Sequence, residues 1–333
     1  MNFYSSLLRP LLFKMDAETA HGVALEALKV LGLSHFLSNL VRRAFLPSKE
    51  DAFSAFGLHF QNRLGVAAGF DKDAKALWGI YALGFGFAEV GSVSYLPWKG
   101  NPKPRIFRVP EENALINRVG LPSDGAEKVK KKLCSKPPFP VFVNIAKSGD
   151  PEVIRDKAIE DICMCANTLA PVADALVLNL SCPNTPDGQT FQDPSLLSLL
   201  LDHLFTDDPI KKVPLFLKVS PDLDPDTLSR IAFVGLEKGA NGFVATNTSK
   251  NALSLLRTGY SGGVSGKPIS EMALKAVKTL RSVCKDDALI IGCGGVFCHD
   301  DYLRFREAGA DLVEVYTGFV YQGPFVVRKV LDG

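Results

Sequence analysis

Asn179, Ser181, Cys182 and Asn184 crowd the stretch LVLNLSCPNTPDG (176–188), where an apolar run ends in a Pro-Asn turn. Each asparagine offers an amide donor and a carbonyl acceptor, and the serine and cysteine can likewise hydrogen-bond or exchange protons. A strand cap and an ordinary turn also account for this stretch taken alone. Other positions add to the chemistry. Lys147 and Lys218 end two further apolar runs and could each hold negative charge, Lys218 against an electron-rich ring, although a lysine reaching from the rim to solvent is the alternative. Gly292-Cys293-Gly294-Gly295 and Tyr316-Thr317-Gly318 end two more, and glycine-rich loops expose N–H groups that suit a phosphate, or simply make tight turns.

These residues share one setting. From Arg63 onward, apolar runs recur at 64–68, 87–93, 141–145, 175–179, 215–219, 242–246, 289–293 and 312–316, separated by polar breaks and stretches of helical period. Near-continuous apolar runs suit parallel strands covered on both faces. The segments between them carry helix starts such as Asp224-Pro225 before TLSRIAFVGLEKG. Eight strand-then-helix units predict an α/β fold, a (β/α)8 barrel, with the polar breaks GFDK, GSVS, NIAK, NLSCPN, KVSPD, TNTS, GCGG and YTGF at the C-terminal mouth. Barrel enzymes assemble their sites at that face, so the pattern predicts an enzyme.

Composition agrees. The chain has 333 residues, 47% of them hydrophobic, enough for a large core. A formal net charge of +2 leaves no basic stripe for nucleic acid. The seven cysteines are odd in number and show no C-x-x-C pair, so neither a disulfide framework nor a metal site is expected. No apolar run reaches the roughly 20 residues that cross a bilayer, and no secretory cleavage pattern opens the chain; it is expected neither to span a membrane nor to be secreted.

With these positions in place, the chain resembles the dihydroorotate dehydrogenase family over essentially its whole length. The resemblance rests on AAGFDKDA (67–74), EVGSV (89–93), GNPKPRIFR (100–108), INRVGL (116–121), LNLSCPNT (178–185), ATNTS (245–249), GGVSGKP (262–268) and YTGF (316–319). It implies FMN held by Ala68, Gly69, Ser92, Asn144, Asn179, Lys218, Thr246, Gly266, Gly294, Gly295, Tyr316 and Thr317. It also implies a dihydroorotate or orotate site formed by Lys72, Asn117, Arg118, Val119, Gly120, Leu121, Asn179, Asn184, Asn247 and Thr248, with Cys182 as the proton-abstracting base. The implied reaction oxidises dihydroorotate to orotate in pyrimidine synthesis.

The N-terminal segment is similar to the helical extension of the class 2, quinone-reducing branch. This divides the chain into a membrane- and quinone-associated extension, 1–48, and a catalytic barrel, 49–333. Asp16 and Thr19 are placed to cap a helix whose Ala20, Val23, Ala27, Leu28 and Leu31 make one apolar face. Residues 1–48 carry five basic and three acidic side chains, 5 − 3 = +2, which favours peripheral contact with an anionic membrane surface at its cytoplasmic face. A helix packed on the barrel, in a cytoplasmic protein, is the alternative. Two positions depart from the class 2 pattern: Cys182 stands where that branch has serine, and Leu121-Pro122-Ser123 is closer to the soluble class 1 enzymes. A class 1-like enzyme that reduces fumarate, or one acting on another dihydropyrimidine, is the alternative they leave.

Overall fold

The structure, a computed structural model, describes residues 3–49, 51–154, 156–180, 190–206 and 208–333. Cys182 and Asn184 lie outside the described residues. The strands, in chain order, are β1 (Phe53–Ala55), β2 (Leu58–Phe60), β3 (Leu64–Val66), β4 (Phe87–Val93), β5 (Ile106–Val109), β6 (Ala114–Asn117), β7 (Val141–Ile145), β8 (Ala175–Asn179), β9 (Leu215–Val219), β10 (Gly242–Ala245), β11 (Gly263–Gly266), β12 (Leu289–Cys293) and β13 (Leu312–Val315).

Eight of them close a parallel barrel in the order β3-β4-β7-β8-β9-β10-β12-β13, each beside its predecessor in the barrel sequence and β13 returning to β3. These are the eight runs expected from the sequence. Three end a residue or two early, because Ala67, Thr246 and Tyr316 already belong to the loops at the mouth. The helices start where their caps direct. Asp224 accepts from Thr227 N at 2.9 Å, and the helix Pro225–Glu237 follows with proline in its first turn, where a missing N–H costs nothing.

The N-terminal end of the barrel is sealed. Phe87, Phe142 and Phe216 point inward there, and the β1–β2 hairpin inserts Phe60 among them, edge-on to Phe87 at 5.6 Å. Ligands must therefore enter from the opposite mouth. Over that mouth lies an antiparallel sheet, β5-β6-β11, which the sequence pattern did not reveal.

The N-terminal segment is helical, as expected, and among the described residues it forms α1 (Arg9–Lys14), continuous with a wider turn at Tyr4–Leu8, then α2 (Ala17–Gly32) and α3 (His35–Phe45). Asp16 caps α2 by accepting from Glu18 N and Thr19 N, as expected, and Ser34 caps α3. α2 crosses the barrel helix Leu77–Ala82 so closely that a Cβ at Gly79 would collide with the Leu28 carbonyl. Its expected apolar face divides. Ala20, Leu28 and Leu31 turn toward the protein, while Val23 and Ala27 remain exposed, bordering a cavity beneath the helix. α3 is anchored by the buried Arg42, whose guanidinium donates to the carbonyls of Tyr81 and Phe85 and to Gln61 Oε1. Among the described residues, no helix is long and apolar enough to cross a membrane.

Candidate active site

One cavity occupies the barrel mouth, and the strand ends bring most of the expected residues to it. Lys72, Asn117, Val119, Leu121, Asn179, Asn247 and Thr248 line it, as do Ala68, Gly69, Ser92, Asn144, Lys218, Thr246, Gly266, Gly294, Gly295, Tyr316 and Thr317. Two expected residues do not border it. Arg118 turns its guanidinium to Ser261 Oγ and the Pro104 carbonyl, and Gly120 uses its carbonyl to accept from Trp98 Nε1. Lys147 is buried as well, but its ammonium donates to the carbonyls of Ser148 and Val153 rather than reaching the cavity.

The asparagines are linked. Asn179 Nδ2 donates to Ser92 Oγ at 2.9 Å and Asn247 Nδ2 donates to Asn179 Oδ1 at 3.1 Å. Asn247 Oδ1 accepts from Thr248 N at 2.7 Å. This chain runs across strands β4, β8 and β10 and fixes which end of each amide faces the cavity, so a flat ligand meets preset donors and acceptors. Asn117 arrives from the other side, at the end of β6, where its amide donates to the Gly263 carbonyl of β11 at 3.3 Å.

Beneath this layer, the strand interiors hold charge. Lys218 Nζ lies 2.5 Å from Glu89 Oε2 and 3.7 Å from Glu314 Oε2, and all three side chains are buried. Glu89 also accepts from Asn144 Nδ2 at 2.6 Å and Ala68 N at 3.3 Å. Burial works against its charge, but Lys218 and these donors hold its carboxyl below the ordinary glutamate range. Glu314 is pushed the other way, first by burial and then by the neighbouring Glu89 charge. Burial works against the Lys218 ammonium too, yet the two acids raise its pKa. Neither acid was singled out from the sequence. A charged residue inside the apolar runs FAEVGSV and LVEVY was the available signal, because an ionisable side chain in a strand covered on both faces needs a buried partner.

The cavity suits a flavin mononucleotide on two observations. Asn144 Oδ1 is buried with no donor reaching it among the described residues, which leaves an acceptor for a ring N–H. Gly294 and Gly295, both at positive φ, turn backbone N–H groups that among the described residues donate to no backbone carbonyl, which suits a phosphate.

Helix α2 supplies part of the same wall. Glu18 receives Arg105 Nη2 at 2.8 Å and lies 3.2 Å from Lys103 Nζ, tying the helix to the loop before β5. Below α1 and α2 lies a second cavity of about 530 Å³, lined by apolar side chains such as Leu8, Leu12, Val23, Phe70 and Val320, with Arg108 among its few polar groups. The two cavities share His21, Ile106, Leu115 and Tyr316. Burial lowers the pKa of His21.

Comparison with known proteins agrees with this arrangement. Residues 52–333 match the sequence family described as dihydroorotate dehydrogenase. The chain is 38% identical to a dihydroorotate dehydrogenase (quinone) of Acidithiobacillus ferrooxidans, over 98% of this chain and 93% of that protein. It is likewise 38% identical to one from a Roseiflexus species, over 98% and 92%. Among solved structures, that of the Eimeria tenella dihydroorotate dehydrogenase bound to ferulenol superposes with a TM-score of 0.79 at 32% identity, covering 90% of this chain and 89% of that one.

Proposed function

Because the chain belongs to the dihydroorotate dehydrogenase family, we propose that it oxidises dihydroorotate to orotate with FMN in the barrel-mouth cavity, and that the electrons pass to a quinone held beneath the N-terminal helices. The observation that carries this reading is the wall shared by the two cavities: a polar site with linked amides on one side, an apolar chamber on the other, and Tyr316 bordering both.

Bound FMN supplies the two-electron acceptor for the hydride leaving C6 of dihydroorotate. The protein's side chains do the rest. Asn117, Asn179 and Asn247 hold the ring by its amide edges, Thr248 completes that edge, and Lys72 pairs with the substrate carboxylate. Asn184 and Cys182 belong to the LNLSCPNT motif, one as a further ring contact and the other as the base that removes the C5 proton. Lys218, Ser92, Asn144 and Thr246 would hold the flavin ring, and the N–H groups of Gly294 and Gly295 would hold its phosphate.

Asn247→Ala tests the ring-holding role. It removes a direct contact and also releases Asn179 and Thr248 N, so orotate affinity should fall by roughly 1–3 kcal/mol while flavin content stays normal. Titrating orotate against the flavin absorbance reads both quantities. Unchanged affinity with lost flavin would move Asn247 from the substrate to the cofactor.

A second variant tests the acceptor. Deleting the whole N-terminal segment would strip Arg42 and Glu18 from their partners, so filling the chamber is the cleaner change. An indole at Ala24 occupies apolar space under α2 that a quinone would otherwise fill. Ala24→Trp should therefore lower quinone turnover roughly tenfold or more while anaerobic bleaching of the flavin by dihydroorotate proceeds at its usual rate. Quinone turnover unchanged by the indole, or reoxidation by fumarate instead, would exclude the chamber as the quinone site.

The same helices expose Phe3, Leu7, Leu11, Val30, Leu33 and Phe36, an unusual concentration of large apolar groups for a solvent-facing surface. With the net charge of +2 on residues 1–48, this supports peripheral contact with an anionic lipid surface, which would place the chamber next to a membrane-dissolved quinone.

A further inference from the structure

The buried charges beneath the flavin site do not balance if both acids are ionised. Glu89 has three donors within reach: Lys218 Nζ, Asn144 Nδ2 and Ala68 N. Glu314 is fully buried, and among the described residues neither of its oxygens has a hydrogen bond of ordinary geometry, although Lys218 and the Cys293 thiol lie close. Its approach to Lys218, 3.7 Å, is longer than a hydrogen bond, and that ammonium is already engaged by Glu89. A carboxylate in such a place has lost its water and gained no well-placed donor in return. A neutral carboxyl needs fewer, and it brings an O–H of its own, with the Glu89 carboxylate beside it as acceptor.

We propose that Glu314 keeps its proton and shares it with Glu89, so that Glu89, Glu314 and Lys218 form a neutral unit under the flavin, with Glu314 as a positioning residue. This rests on the flavin reading above only for what the unit does, not for the proton itself. The titratable groups facing Glu314 are Glu89 from β4, Lys218 from β9 and Cys293 from β12; Asn144 from β7 is uncharged. Burial pushes the Cys293 thiol far up, so it adds no charge. The floor then sums to zero: −1 from Glu89, +1 from Lys218, and nothing from Glu314 or Cys293. A neutral floor has a specific consequence. Lys218 steadies negative charge arriving on the flavin without a surplus carboxylate beneath it to oppose that charge.

The roles of the two acids are exchangeable. In Glu314→Gln the floor remains neutral, because the lost group was uncharged. In Glu89→Gln, Glu314 no longer faces a like charge and gives up its proton to pair with Lys218, so the floor is again neutral. Only the double variant leaves Lys218 without a countercharge.

The test uses the flavin-loaded protein, labelled with carbon-13 glutamate so that buried aspartates such as Asp71 do not contribute. Infrared spectra in light and heavy water should show the carbonyl stretch of one protonated buried glutamate at neutral pH in the wild type, lost in each single variant. Spectroelectrochemical titration should give both single variants the wild-type flavin midpoint potential and the double variant a higher one. A wild-type spectrum without that band overturns the proposal, whether or not the variants fold. So does a midpoint raised in either single variant, as expected if both acids were ionised. Purified protein that holds no flavin would overturn the cofactor reading instead, and the band would still decide the position of the proton.

Discussion

Replacing Cys182 with alanine should slow reduction of bound flavin by dihydroorotate by about 10² to 10⁴, the usual worth of a positioned base. The thiol follows Asn179 by three residues, and Asn179 is fixed at the cavity by its bonds to Ser92 and Asn247. The assignment of the base rests on the LNLSCPNT motif of the resemblance. Photochemical reduction of the flavin needs no proton from dihydroorotate and should be unaffected. Cys182→Ser should retain part of the rate but shift its rise to higher pH, because a hydroxyl is far less acidic than a thiol. Stopped-flow bleaching from pH 6 to 10 measures both effects. Equal rates in the alanine variant and the wild type would leave Cys182 as a small residue in a turn.

The second large effect concerns Lys218. Lys218→Met removes the cation from a fully buried carboxylate, and breaking such a pair costs about 3–5 kcal/mol. The loss should depend on pH with a definite sign. In the wild type, Glu89 has a depressed folded pKa, so its contribution is present above its unfolded value of about 4.3 and disappears as the pH falls through the folded value. Without Lys218, burial raises that folded value above the unfolded one. The native state then binds the extra proton, and stability declines as pH rises from about 4.3 upward. Thermal unfolding should therefore separate variant and wild type more at pH 8 than at pH 5. A gap that narrowed with rising pH would show that Glu89 does not depend on Lys218 for its charge.

What could be read in advance follows from how local each signal is. The eight barrel strands were legible because a strand buried on both faces must be apolar along its length, whatever its partners. Asn179, Lys218 and the glycine loops stood out because they end or follow those runs at the face where barrel sites form, whereas Lys72 and Asn117 came only from the resemblance. The β5-β6-β11 sheet was not, since its strands have four residues each and GVSG carries no alternation of its own; it is a strand only because β6 lies beside it. Glu89 and Glu314 were visible as letters but not as a pair, because they come from strands 225 positions apart in the numbering, 314 − 89, and meet only once the barrel closes. The splitting of the α2 face was hidden for a related reason. Val23 and Ala27 have the period of core residues, and nothing in the period says whether the space they face is filled with side chains or left open.

The rim sheet has a consequence for how the protein reaches its working form. Asn117 pairs with Gly263, 146 residues later, and Gly266 pairs with Ala114. Contacts of such long separation form late, since a large loop must close before they return any stabilisation. A chain emerging from the ribosome can therefore build its first strands and helices while its ligand site still lacks a wall, and competence to bind should arrive only after residue 266 has docked and β13 has closed the barrel onto β3. In refolding from denaturant, the far-ultraviolet signal of the helices should recover ahead of orotate-sensitive flavin binding. The interval between them measures the time in which the protein has its helices and lacks its chemistry.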